Sequence, residues 1–495
     1  MNTHKFKIIL LLVLSLGLPF TSCKDYLDVN VDPNQSAISR IELQLSSAQL
    51  ETSIAIGQRI YPQLAVLAQY QTGGPGVSLG DPDQHKWASS EGDEIFTRLY
   101  RSSVNLNFII QNSTENYYIA IAKIMKAYNF QVCADLFGDI PYAEALKGDI
   151  ADGSILHPKY DSAKDVVYPA IEGELLEAIG LIERGGSFLL PKTDDLIYGG
   201  DMDKWNKFAH SLLLKIYLRQ GASGQAKAAA LYESDDQFIL TNDEAAFVAF
   251  PGGASGSNPF WTAAKSTALG NFYVATTTVV DYLGGTQDPR IDALFDQTPA
   301  GGHTGLNPGD VQNAPATATF SRPAGALVVP NGGLIFSPTA PVFLMSAWES
   351  NLLLAEAAAR SWITADVDAL YAAGVHASFE YLGLDATAAD DYLAAGGALD
   401  AGNPIKSIAL QKWISMTNIQ PVESWIETRR FDSPATPIFA SPGGIFKSPT
   451  KNALGGTPGG TGVFPSILPY PQNEESLNQN FPGQHLITSK VFWDN

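Results

Sequence analysis

The sequence predicts a mainly α-helical fold, on three observations. Apolar residues recur at helical spacing from residue 38 to about 240, and again from 343 to 430. Clusters of Gly, Pro and Asp interrupt them at intervals suited to packed helical hairpins. Between the two helical stretches, residues 250–341 turn to Gly, Pro, Thr and Ser, the composition of a loop-rich insertion where ligand contacts tend to lie. The recurring helix pairs read as degenerate tetratricopeptide-like hairpins, without a strict period of about 34 residues.

At the N-terminus, residues 1–22 read as a secretory signal. Lys5 and Lys7 supply the positive start and residues 8–18 the apolar core, too short to span a bilayer. Phe20-Thr21-Ser22-Cys23 resembles a lipobox, in which Cys23 becomes the lipid-modified first residue after cleavage; several acyl chains on one cysteine give stable anchoring. Residues 23–37 then form an anchored linker and 38–495 a single helical domain. Within the linker Asp28, Asn30, Asp32 and Asn34 alternate like the start of a calcium loop. Pro33 and Ser39 lack the glycine and glutamate such a loop needs, so a plain turn is expected.

Each helical element has a local reason. Ile121, Met125, Tyr128 and Val132 share one face, and Cys133 beside them reads as a small buried hydrophobe rather than a disulfide partner of Cys23. Asp201 opens a segment whose stripe is Trp205, Phe208, Ala209, Leu212, Ile216 and Arg219. Phe343, Ala347, Leu354 and Ala358 form another, with Glu356 and Arg360 a favourable pair one turn apart. Helices are further expected around 272–283, 405–416 and 422–430, and turn-rich chain over 433–465.

Composition narrows the function. A formal net charge of -20 would repel a phosphate backbone, which excludes nucleic acid as a partner and leaves membrane attachment to the N-terminal anchor. The chain contains no HExxH or Walker A pattern. Asp135 and Asp139 could be paired as the two carboxylates of a glycoside hydrolase, but with 51 Asp and Glu in the chain some pair always fits such a guess, and a role at a helix end is the expected one. A scaffold that binds only proteins is a further reading of a helical array.

Several segments, spread over nearly the whole chain, together resemble the SusD/RagB family of nutrient-binding outer-membrane lipoproteins, in spelling nearer its RagB-type branch. They are Tyr26-Leu27-Asp28-Val29-Asn30, Asp135-Leu136-Phe137-Gly138-Asp139-Ile140-Pro141-Tyr142, Gly200-Asp201-Met202-Asp203-Lys204-Trp205, Leu353-Leu354-Ala355-Glu356-Ala357, Gln411-Lys412-Trp413 and Leu468-Pro469-Tyr470-Pro471. The resemblance implies a SusD-like helical fold. It also implies a lipid-anchored, cell-surface, non-catalytic protein that leans on a SusC-type TonB-dependent transporter and passes it captured oligosaccharide, polysaccharide or peptide. No cofactor is implied, a structural calcium being left open.

A sugar offers an apolar C–H face and a rim of hydroxyls, so its site needs aromatic plates beside hydrogen-bonding side chains. Trp205, Trp348, Trp362, Trp413 and Trp425 fall in expected helices and read as core. Trp87 follows a Gly-rich loop with Asp83 and Gln84 just before it, and Trp261 lies in the insertion with Phe272 and Tyr273 shortly after. These six, Trp87, Asp83, Gln84, Trp261, Phe272 and Tyr273, are the candidate glycan-binding residues.

Overall fold

The computed structural model describes residues 40–75, 82–148, 154–234, 237–253, 256–266, 273–310, 319–325 and 335–494. The signal segment, Cys23, the linker and Phe272 lie outside the described residues.

Helix Asp93–Asn112 buries Ile95, Leu99, Ser102, Leu106 and Ile109, an alternation of threes and fours that makes one apolar stripe. The stripe packs on helix Ile41–Gly57 and on Asn116–Phe137, to which it is joined by only three residues, 113–115. Asn116–Phe137 is buried nearly all round because Tyr168–Arg184 covers its other side. It stops at Gly138, whose φ of +77° a side chain would resist and whose N–H reaches the Ala134 carbonyl at 2.9 Å. Cys133 is buried on this helix as a free thiol.

Helix Met202–Arg219 comes next, capped by the Asp201 carboxylate, which accepts from the Lys204 N–H at 3.1 Å. The chain reaches that cap through Gly200, where a Cβ would stand 2.0 Å from the Pro191 carbonyl oxygen, so no side chain fits. In the second half, Ala347–Ala359 packs on Val367–Tyr381 and Pro404–Ser415, and Pro421–Arg430 returns against Ile60–Leu67 near the start of the chain. Ile41–Asn495 thereby forms one unit.

Strands among the described residues are short and antiparallel, paired two by two. Ala246–Val248 pairs with Val342–Met345, so the Gly- and Pro-rich stretch runs out from one strand of this ladder and back into the other. A helix expected around 272–283 is divided instead: Tyr273–Ala275 is a strand and the helix is Thr277–Gly285. Its Tyr-Val-Ala run finds a partner strand in Gln71–Gly73, and Thr276 caps the helix by accepting from the Val279 N–H.

Trp205, Trp348, Trp413 and Trp425 are core residues. Trp362 departs from that reading: it sits just past the end of Ala347–Ala359 and is half-buried. Between the helices runs a buried ionic network. Arg219 meets Asp135, Glu423 and Glu427; Lys215 meets Glu349 and Glu423; Lys412 and Arg430 meet Glu427. Trp493, near the C-terminus, closes it by donating its indole N–H to Asp135 at 2.7 Å.

Candidate ligand-binding cleft

The ladder between Gln71–Gly73 and Tyr273–Ala275 carries the insertion onto the helical body, placing Gly73 opposite Tyr273. Asp83 holds the return of the Gly-rich loop: its buried carboxylate accepts from the Thr72 hydroxyl at 3.0 Å and the Gly73 N–H at 3.2 Å. His85, held at a φ of +54°, donates Nδ1–H to the Val463 carbonyl at 3.1 Å, and burial lowers its pKa to about 4, so it is neutral at pH 7.

A second anchor is the short helix Pro259–Ser266. Asn258 caps it, accepting from the Trp261 N–H at 3.0 Å while its own amide donates to the Ala340 carbonyl at 2.8 Å. This sets Phe260 stacked on Tyr61 at 4.6 Å between ring centroids, and edge-on to Tyr273 and Phe336 at 5.7 Å each. These rings form an apolar cluster separate from the main core.

Beside the cluster opens a cleft of about 760 Å³. Its walls differ in chemistry. Phe260, Ala263, Ala264, Tyr273, Pro62, Val66 and Pro82 make an apolar side; Gln58, Arg59, Gln63, Glu91, Glu94 and Arg98 make a polar one. The polar side chains hold one another in place: Arg59 and Gln63 on Glu91, and Arg98 on Glu94 at 2.9 Å and on Glu51 at 2.8 Å. The Gln63 amide oxygen is buried there with no hydrogen-bond partner among the described residues. Burial, and then the Asp83 carboxylate, push the Tyr273 hydroxyl above its ordinary pKa, so it stays a neutral donor.

Of the six candidate residues, the cleft takes Tyr273 into its wall, with Phe260 and Pro82 from the neighbourhoods of Trp261 and Asp83. Asp83 itself is turned inward as a loop brace. Gln84 is half-buried and its carbonyl accepts from the Ala453 N–H at 2.8 Å. Trp87 is half-buried against the main core, its indole N–H buried with no partner among the described residues. Trp261 is half-buried on its helix, and neither tryptophan is a lining residue. Sequence reasoning passed over Phe260, although it lies inside the Asn258-Pro259-Phe260-Trp261 run, and over the whole polar wall, whose residues sit on helices and the turn at Gln58 and Arg59 without any motif.

Asp135 is tied into the ionic network and Asp139 accepts from the Ala163 N–H at 2.8 Å, so that pair is structural. Glu91 and Glu94, which do line the cleft, are each paired with an arginine. Among the described residues no group of three His, Cys, Asp or Glu could hold a metal ion, and no helix is long and apolar enough to cross a membrane.

A helical body thus holds an aromatic and polar cleft against a loop-rich insertion. The chain belongs to the SusD-like family, whose sequence model, described as starch-binding and associating with the outer membrane, matches residues 31–443. Solved structures share the fold. A chitin-binding protein superposes with a TM-score of 0.71 at 24% identity, covering 91% of this chain and 99% of its own. A SusD homologue from Bacteroides uniformis gives 0.72 at 22% (92% and 100%), and a SusD/RagB family protein from Bacteroides thetaiotaomicron 0.75 at 20% (92% and 99%). A chitin-binding SusD homologue from Flavobacterium johnsoniae gives 0.72 at 21% (92% and 99%). No curated protein matches the chain.

Proposed function

We propose that this protein is a non-catalytic, cell-surface lipoprotein that captures oligo- or polysaccharide and delivers it to a SusC-type TonB-dependent transporter. The observation that carries the reading is the two-sided cleft. A ring face on one wall and fixed amide, carboxylate and guanidinium groups on the other match the apolar face and hydroxyl rim of a sugar. Two of the structural relatives are chitin-binding, which favours a glycan over a peptide. The anchor is Cys23, and Trp87 and Trp261 extend the site beyond the cleft wall.

Delivery needs a face for a partner. Phe188 is 97% exposed and is followed by Leu189 and Leu190, also exposed, an apolar tip of the kind that interfaces cover.

Affinity electrophoresis of the soluble chain against a panel of polysaccharides, with reducing ends assayed in the same samples, tests the proposal. Retardation without new reducing ends supports it. New reducing ends would make the protein a hydrolase, and no retardation on any polysaccharide would move the peptide reading ahead.

A further inference from the structure

Away from the cleft, two cavities of about 510 and 570 Å³ share Arg360 and Arg430 in their linings. Each falls in the range of roughly 300–1,000 Å³ typical of small-molecule sites. Their walls reverse the charge of the chain. The sequence carries 51 Asp and Glu against 31 Lys and Arg, yet the two linings hold Lys164, Arg219, Lys227, Arg360, Lys406 and Arg430 with one acid, Asp165.

The carboxylates that partner these cations stand behind them. Glu356 takes Arg360 and Arg430, Glu172 takes Lys227 at 2.7 Å, and neither glutamate lines a cavity. Lys164 and Lys406 are exposed and form no ion pair among the described residues. Arg219, 2% exposed, keeps its Nε–H buried without a hydrogen-bond partner. Arg219 is held by Asp135, Glu423 and Glu427 and Arg430 also by Glu427, so the cations an entering group meets without a carboxylate partner are Lys164 and Lys406, and they favour a carboxylate or sulfate over a neutral group. Trp362 adds an aromatic wall to the first cavity, held by its own N–H on the Ala357 carbonyl at 2.8 Å.

We propose that this pair of cavities is a second binding site, for the carboxylate- or sulfate-bearing sugars of an acidic polysaccharide. The choice of a sugar rests on the glycan-capture reading; the preference for an anion rests on the cavities alone.

The test is affinity electrophoresis of the soluble chain in polygalacturonate and in chondroitin sulfate, with amylose and chitin oligosaccharides as neutral probes. Because the chain is itself strongly acidic, unspecific attraction to polyanions is disfavoured. Retardation by an acidic polymer is expected, fading as salt rises. Lys164→Gln with Lys406→Gln, which touches no ion pair, weakens it by about fivefold, and Trp362→Ala weakens it further. The proposal is overturned if neither acidic polymer retards the wild type, or if both cavity variants bind like wild type. It is overturned as a sugar site if poly-glutamate displaces the polymer fully. Retardation by a neutral probe alone would sink this inference and leave the proposed function standing.

Discussion

The Arg430 guanidinium grips the Glu356 carboxylate through two parallel hydrogen bonds, Nη1 to Oε1 at 2.7 Å and Nη2 to Oε2 at 2.5 Å, with both side chains almost fully buried. The pair joins helix Ala347–Ala359 to helix Pro421–Arg430, and through Glu427 it reaches Lys412 and Arg219. Burial pushes the Glu356 carboxyl up, but Arg430 and Arg360 outweigh it and hold the group below the ordinary carboxylate range. Breaking one partner of such a pair strands a buried charge, at a cost of about 3–5 kcal/mol. Glu356→Ala is therefore expected to lose stability on that scale in urea unfolding, and Glu356→Met with Arg430→Met to recover part of it. A loss below about 1 kcal/mol in the single variant would mean the pair is no more than a surface bridge in its effect.

His85 gives the chain a predictable acid sensitivity. Its pKa is about 4 in the fold and about 6.5 when unfolded, so it favours neither state above pH 6.5. As pH falls from 6.5 to 4 the unfolded chain takes up the proton first, and roughly 3 kcal/mol of stability is lost across that window. Asn tolerates a positive φ and can still donate to the Val463 carbonyl, so His85→Asn removes the titration while keeping the turn. Unfolding free energies compared at pH 7.5 and 4.5 should fall less in the variant; equal falls would assign the loss to the carboxylates.

Much of the fold was legible because helices declare themselves locally. The cap at Asp201, the stop at Gly138 and the pair of Glu356 with Arg360 at 2.8 Å all lie where the sequence places them. Four of the segments that carry the family resemblance turn out to be interior joints: Asp135 and Glu356 in the ionic network, Trp413 donating to the Ala68 carbonyl, Tyr470 to that of Asp139. The cleft was only half legible. Its aromatic wall lies in loops rich in aromatic and polar residues, which drew attention to Tyr273. Its polar wall comes from helices Ile60–Leu67 and Asp93–Asn112 and the turns just before them, brought to Tyr273 by a ladder between distant strands that no local pattern announces.

Two cleft substitutions separate recognition from architecture. Tyr273→Leu keeps apolar bulk on the strand and removes the ring, and Gln63→Leu removes an amide whose oxygen has no partner among the described residues. Each is expected to raise the Kd for the bound glycan by roughly tenfold, the scale of a lost plate or polar contact in a binding centre. Isothermal titration beside thermal unfolding makes the check: wild-type affinity in both variants would empty the cleft of its proposed role. Asp83→Ala instead frees the Thr72 hydroxyl and Gly73 N–H, so its expected effect is on stability as well as affinity. Trp87→Ala and Trp261→Ala are expected to lower affinity without unfolding the protein, and equal binding with both changed would confine the site to the lining.

The apolar tip at Phe188 is held out, not left to hang. The N–H groups of Phe188 and Leu189 both donate to one Glu115 oxygen, at 2.7 and 3.1 Å, and the Ser187 hydroxyl accepts from the Tyr117 N–H at 2.9 Å. Asp194, a few residues on, ties the same loop to Tyr118 and, through its carbonyl, to Ser46 on the first helix of the body. A loop fixed this firmly could have turned its phenylalanine inward, so its exposure costs hydrophobic free energy that only a covering surface would return. Under the delivery proposal that surface belongs to the transporter. Phe188→Asp is then expected to leave thermal unfolding unchanged and to reduce recovery of a SusC-type transporter when the complex is drawn from detergent-solubilised outer membranes. Undiminished recovery with Phe188→Asp and Leu190→Asp combined would place the transporter contact on another face.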